Sequence, residues 1–262
     1  MNAPLRHASL SWPALALQQT KRATLDLIFP PQCMACREPV AEPHALCAAC
    51  WAKLSFIGGA LCPSCGTPFD YAGAQGLTCG ACLAVPPFYS RARSALRYDD
   101  ASRDLVLSFK HADRLDYAPA FGRWLARAGA ELVDQADLIV PVPLHWRRLF
   151  FRRYNQSVEL ARSLGRAVNR PVLPDALIRT RATPSQGKMP SARARRLNVA
   201  RAFAVRDSAK AAISGRRLLI VDDVLTTGAT VNACARVLAR AGARDVAVVT
   251  LARVVRGAAL LL

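Results

Sequence analysis

From Ala101 onward the chain alternates between two hydrophobic rhythms. Short continuous apolar runs occur at Asp137 to Pro143, Ala202 to Val205, Leu218 to Val221 and Val246 to Leu251. Between them apolar residues return every three or four positions: Leu105, Val106 and Phe109 within Ala101 to Lys110, and Phe121, Trp124, Leu125 and Leu132 within Tyr117 to Val133. The segments Asn155 to Val168 and Ala229 to Ala241, the latter ending near Gly242, carry the same spacing. Continuous runs predict strands buried on both faces, and the wider spacing predicts amphipathic helices, with Ser102 as the cap of the first. Strands alternating with helices predict an α/β fold with a mostly parallel sheet.

The N-terminal third has a different texture. Residues 1 to 32 form a helical lead-in that ends at Pro30 and Pro31. Four CxxC units follow: Cys33 and Cys36, Cys47 and Cys50, Cys62 and Cys65, Cys79 and Cys82. A two-residue spacer lets both thiolates of a turn reach one ion about 2.3 Å away, and two such turns complete a tetrahedral zinc site. The spacings match short zinc-ribbon knuckles, so all eight cysteines are expected metal ligands in one or two structural zinc sites. The spacing leaves open whether the pairs combine in order or interleave. Four pairs outside any βαβ pattern do not resemble a single thioredoxin-like dithiol. Residues 83 to 100 then form a proline-marked junction and an extended run containing Arg91, Arg93 and Arg97, the expected edge strand. The resulting division is 1–32 lead-in, 33–85 zinc ribbon and 86–262 α/β domain.

Charge narrows the partners. Over 262 residues the formal net charge is +18, supplied mostly by arginine. Such a field favours phosphate-rich ligands, whether nucleotides, sugar phosphates or nucleic acid. No stretch approaches the roughly 20 uninterrupted apolar residues of a membrane helix. The apolar patch Trp12 to Leu17 is framed too poorly for a signal peptide. A cytoplasmic protein is expected, and in a reducing compartment paired cysteines favour metal over disulfides.

The chemistry concentrates in Leu218 to Thr230, LLIVDDVLTTGAT. The order is strand, two adjacent carboxylates (Asp222, Asp223), a hydroxyl-rich loop closing on a glycine (Thr226, Thr227, Gly228, Ala229, Thr230), then a helix. A helix beginning here offers unpaired N–H groups and a positive dipole end to an anion. Gly228 lets the backbone approach closely or take a positive φ. The two carboxylates can accept hydrogen bonds from the vicinal hydroxyls of a ribose. The spacing suits a ribose 5-phosphate held at both ends. It is not a P-loop, since no lysine follows Gly228, and not a dinucleotide fingerprint, since the loop has one glycine.

Two basic segments supply cations. His145 to Ser157 holds arginines at 147, 148, 152 and 153 between a strand and a helix, a place where open α/β sheets bind ligands. Residues 179 to 201 hold seven basic residues and no acidic one, and a loop of that length suits a lid.

LLIVDDVLTTGAT closely resembles the phosphoribosyl-pyrophosphate motif of type I phosphoribosyltransferases. Together with the CxxC pairs, SFKHADR (Ser108 to Arg114), PVPLHWRR (Pro141 to Arg148), RYNQS (Arg153 to Ser157) and RTRAT…ARRLNVARAF, the chain is similar to the competence-protein ComF family, close to the variety also called GntX. The resemblance implies a type I phosphoribosyltransferase-like sheet behind a small zinc-ribbon module. It also implies ribose binding by Asp222 and Asp223 and a 5′-phosphate loop at Thr226 to Thr230. Leu144 to Arg148 would take the place of the pyrophosphate loop, and Thr183 to Arg195 that of a flexible lid. In enzymes of this type Mg²⁺ bridges the pyrophosphate, which a nitrogen nucleophile displaces. Lys110, Arg147 and Lys188 are candidates for neutralising it. The expectation is a glycosyltransferase of the phosphoribosyl class, with an unspecified acceptor and a link to DNA uptake. The competing expectation is a non-catalytic adaptor for single-stranded DNA, since Trp146, Phe150, Phe151 and Tyr154 interleave with arginines in a pattern suited to stacking.

Overall fold

A computed structural model of the chain describes residues 29–111, 114–145, 154–181, 199 and 201–255. The chain divides into two compact units, Met1–Trp51 and Ala52–Leu262. The first contains a knuckle built on Cys33 and Cys36 and the short helix α1 (Ala48–Trp51). The second contains a similar knuckle built on Cys62 and Cys65, helix α2 (Gly80–Ala84), and the whole α/β fold.

That fold is a four-stranded parallel sheet in the order β1 (Ala92–Arg97), β6 (Asp245–Arg253), β5 (Arg217–Leu225), β2 (Leu138–Pro141). Leu218, Leu219, Ile220 and Val221 of β5 are at most 1% exposed. Such continuous burial requires cover on both faces, which α4 (Ala118–Ala128) and α6 (Gln156–Val168) give on one side and α8 (Ala229–Arg240) on the other. Fully burying each such aliphatic side chain contributes about 1.5–3 kcal/mol.

β1 lies at the sheet edge, as expected, and its outer side is occupied. The Ile57 N–H donates to Ala95 O (2.9 Å) and the Arg97 N–H to Ser55 O (2.8 Å). The segment after the first unit thus caps an edge that would otherwise present unpaired backbone.

Three expectations need correction. The helix expected over Tyr117 to Val133 is two helices, α4 and α5 (Ala130–Gln135), broken at Gly129. A Cβ there would lie 3.0 Å from Val249 Cγ2, so the helix turns where it meets the sheet. Ser102 is not the cap of α3 (Asp100–His111); the Asp99 carboxylate accepts from the Ser102 N–H (3.0 Å), and the Ser102 hydroxyl accepts in return from the Asp99 N–H (3.0 Å). The pair forms a reciprocal cap with the roles shifted three residues upstream. The strand expected at Ala202 to Val205 is β4 (Phe203–Val205), and it lies outside the parallel sheet. It pairs antiparallel with β3 (Leu177–Arg179), for which the apolar pattern offered no signal.

Candidate functional site

The cysteines combine in order. Cys33, Cys36, Cys47 and Cys50 form one cluster and Cys62, Cys65, Cys79 and Cys82 another, with the sulfurs of each within 4.8 Å of one another. Tetrahedral zinc with bonds of about 2.3 Å sets sulfurs about 3.8 Å apart. Cys36 and Cys47 are 3.6 Å apart, as are Cys65 and Cys79, so both clusters fit a structural zinc. Backbone N–H groups point at sulfur as a thiolate requires: Cys47 N to Cys33 Sγ at 3.3 Å, and Cys79 N to Cys62 Sγ at 3.4 Å. In the second cluster burial opposes ionisation of Cys65, but the Thr67 hydroxyl and the Arg253 guanidinium bring it down to about 7.

The paired carboxylates do not follow β5 but lie within it, near its carboxyl end. Residues from two other places converge on them. Ser157, in the first turn of α6, donates its hydroxyl to Asp222 Oδ1 (3.0 Å), which also accepts from the Asp223 N–H (3.0 Å). Lys110, at the end of α3, places Nζ 2.8 Å from Asp223 Oδ2. That end of α3 is itself held: the Tyr154 hydroxyl donates to Phe109 O (2.8 Å) and Gln156 Nε2 to Lys110 O (3.0 Å). Asn155 caps α6 by accepting from the Ser157 N–H (3.1 Å), and donates to Val142 O (3.0 Å) in the loop after β2. RYNQS is therefore a clamp: each of its described side chains ties α3, β2 or β5 to the others.

Enclosure raises Asp222. Its carboxyl is pushed up to about 7, first by burial and then by the neighbouring Asp223 charge. The Asp223 N–H, Lys110 and Ser157 only partly offset this. Two adjacent carboxylates with one lysine leave an excess of negative charge, suited to hydroxyl donors or a cation.

The loop beyond them has the shape of an anion cradle. Gly228 is the N-terminal cap of α8 with φ +73°. A Cβ there would meet Tyr89 Oη at only 3.5 Å, so the left-handed backbone, and not lack of space, calls for glycine. No side chain caps α8, leaving its first N–H groups for an external acceptor. Asp222, Leu225, Thr226, Thr227, Gly228 and Thr230 line a small concavity in front of them. The Thr227 hydroxyl is buried and has no hydrogen-bond partner among the described residues. A buried donor without a partner costs about 1–3 kcal/mol, which a bound oxyanion would relieve.

Of the site residues expected from sequence, Asp222, Asp223, Lys110 and Thr226 to Thr230 thus meet at one end of the sheet. Arg147, Lys188, the rest of the arginine loop from Trp146 to Arg153 and the expected lid lie outside the described residues. Sequence reasoning missed Ser157 and Gln156 as individual contacts. Their signal was present only as part of RYNQS.

A family model for the double zinc ribbon domain matches residues 24–83, and one for the phosphoribosyl transferase domain matches residues 155–259. The DNA utilization protein YhgH of Escherichia coli O157:H7 is 36% identical over 236 residues, covering 87% of this chain and 99% of that one. Competence protein F of Haemophilus influenzae is 31% identical over 228 residues, covering 85% and 96%. The chain belongs to the ComF family. Within it, competence protein ComFC of Bacillus subtilis is a more distant relative, 27% identical over 204 residues and covering 75% of this chain and 79% of its own. Among solved structures, the allosteric regulatory enzyme of purine biosynthesis superposes with a TM-score of 0.38 at 22% identity, over 55% of this chain and 30% of that one. The parallel sheet and the helix-initiating loop place this ComF member in the phosphoribosyltransferase class of α/β folds. Among the described residues no helix is long and apolar enough to cross a membrane.

Proposed function

We propose that the Val221 to Thr230 segment binds phosphoribosyl pyrophosphate, or a related ribose 5-phosphate, and that the protein is an Mg²⁺-dependent phosphoribosyltransferase acting at the service of DNA utilisation. The observation that carries this reading is the pairing of an orphaned, buried Thr227 hydroxyl beside an uncapped helix with two clamped carboxylates one strand-end away. Asp222 and Asp223 hold the vicinal ribose hydroxyls. The α8 N-terminus, Thr227 and Gly228 hold the 5-phosphate. Lys110, which rests on Asp223, neutralises the leaving pyrophosphate together with Arg147 and Lys188. Mg²⁺ supplies charge neutralisation of the pyrophosphate when bound; every other contribution is positioning and preorganised electrostatics from this chain.

Calorimetry with phosphoribosyl pyrophosphate and Mg²⁺ tests the reading. Binding is expected in the wild type and a loss of at least about tenfold in Asp222→Asn/Asp223→Asn, since hydrogen bonds to charged groups contribute about 1.5–3 kcal/mol each. No binding, or binding unchanged in the double variant, defeats it. A second reading, a single-stranded DNA adaptor, is favoured by the names of the relatives together with the net charge of +18. It predicts oligonucleotide binding that weakens steeply with salt, and no binding at about 50 mM salt removes it.

A further inference from the structure

The two four-cysteine clusters differ in what they touch. From the second, two struts run to the phosphate loop, one from each of its CxxC arms.

The first strut is Arg253, at the carboxyl end of β6. Its side chain turns toward the cluster, donating through Nη1 to Cys65 O and through Nη2 to Thr67 Oγ1 at 2.7 Å. Thr67 Oγ1 in turn lies 3.0 Å from Cys65 Sγ. Arg253 is 6% exposed, and its Nε is buried without a partner among the described residues. On the backbone side Arg253 is in register with Leu225, and the next N–H, that of Val254, donates to Leu225 O at 2.9 Å. Leu225 is the residue from which Thr226 to Thr230 depart.

The second strut leaves the other arm. Three residues past Cys82 the chain reaches Val85, Pro86 and Pro87, then Phe88, whose N–H donates to the Asn232 carbonyl oxygen (Oδ1) at 2.5 Å. Asn232 sits in the first turn of α8. Tyr89, 7% exposed, packs against Gly228. A single cleft is lined by Cys65, Cys79, Cys82, Tyr89, Arg253 and the loop residues Leu225 to Ala229.

We propose that the second four-cysteine site is a metal-dependent support for the phosphate loop, and that Arg253 is the positioning residue that couples metal occupancy to the loop's order and to its affinity for sugar phosphate. The affinity part rests on the ribose-phosphate reading above; the coupling of metal to loop order does not. Two facts make the coupling strong. Cys65 and the adjoining Thr67 brace Arg253 while Cys79 and Cys82 lead into Phe88 and Tyr89, so a tetrathiolate site binds both struts to one point. A zinc held by four thiolates is also net negative, and the buried Arg253 guanidinium is its neighbouring counter-charge. Without the metal the buried cation loses most of that counter-charge, and its backbone is hydrogen-bonded to the root of the loop.

The test uses the full chain with both zincs and needs two readouts. Hydrogen exchange at residues 225–232 reports loop order without any ligand, and calorimetry with ribose 5-phosphate reports affinity. Arg253→Met, close in volume but neutral, is expected to keep two zincs by native mass spectrometry. It should speed exchange across the loop roughly tenfold and weaken ribose 5-phosphate about as much, as loss of hydrogen bonds from a charged donor implies. Amides of Val246–Leu251 should stay protected, which separates positioning from general destabilisation. Arg253→Lys, which keeps the charge, should restore part of both effects. Gradual chelation should loosen the loop as the second zinc leaves, and readdition should restore it. Should Arg253→Met or loss of the second zinc leave loop exchange unchanged, the inference is overturned, whatever the ligand does. If loop exchange responds but the wild type takes no ribose 5-phosphate, the coupling stands and the sugar-phosphate reading fails.

Discussion

The two zinc knuckles are built alike in detail and differ in their surroundings. In the first, the Arg37 N–H donates to Cys33 O and the Cys33 N–H to Glu38 O; in the second, Gly66 to Cys62 and Cys62 to Thr67 repeat both bonds. An antiparallel bridge closes each, Gln32 with Pro39 and Leu61 with Pro68. The residue after each first CxxC is left-handed, with φ +66° at Arg37 and +67° at Gly66. The first knuckle fills that position with an arginine. The second cannot: a Cβ on Gly66 would lie 2.3 Å from Ala92 O, because Ser64 O accepts the Ala92 N–H at 2.7 Å and seats the knuckle on β1. The same local fold thus serves as part of a separate compact unit in one place and as a piece of the sheet domain in the other. Metal binding alone does not say which; the backbone clearance does.

This contrast can be broken most forcefully at the thiolates. Cys62→Ser/Cys79→Ser should lower the main thermal transition by more than about 10 °C, since structural zinc in small ribbons contributes on the order of 10 kcal/mol. Cys33→Ser/Cys47→Ser should also leave one zinc by native mass spectrometry, yet hold that transition within about 2 °C. Equal losses from the two pairs would erase the distinction. Next in size is the glycine. Gly66→Ala combines a backbone clash with a positive φ and should cost at least about 3 kcal/mol in denaturant unfolding. Proton titration sharpens the contrast further, because Asp222 belongs to the second unit. Its folded pKa, about 7, lies above the ordinary value of about 3.9, so its contribution to stability is full below the ordinary value and is lost as pH rises through 7. Asp222→Asn should therefore gain several degrees on the wild type between pH 5 and pH 8, read as the difference in melting temperature. Under the proposed function, ribose 5-phosphate affinity should rise by up to roughly tenfold from pH 6 to pH 8 as the carboxylate ionises. Smallest of all is Arg37→Gly, within about 1 kcal/mol, because relief of the left-handed strain is offset by the added freedom of glycine in the unfolded chain.

Legibility in the sequence followed how local each feature is. The CxxC pairs and the strand, loop and helix at Leu218 to Thr230 are contiguous, and their spacing announces their chemistry. Asp222 and Asp223 could be singled out, but not the burial that raises Asp222 nor the partners that temper it, Ser157 on Asp222 and Lys110 on Asp223, which come from distant parts of the chain. The break at Gly129 was hidden for a related reason: helical spacing continues through it, and the tight approach of Val249, on a distant strand, is visible only in the fold. Arg253 lies two residues past the apolar run Val246 to Leu251, with nothing in the sequence to single it out. That it is buried, and bonded to Cys65 and Thr67 earlier in the chain, has no sequence signature.

Most element types, the α/β class, the eight thiols in zinc-ribbon spacing and the chemistry proposed for the loop were written in the order of the amino acids, because each depends on periodicity, spacing or backbone preference within a dozen or so residues. Folding in three dimensions decided that the thiols pair in order, that one knuckle is seated on the sheet while its twin belongs to another unit, and that a buried arginine reaches from the root of the Thr226 to Thr230 loop to the second cluster. Those outcomes depend on which atoms come within a few ångströms across the fold, and close packing, not local propensity, sets that.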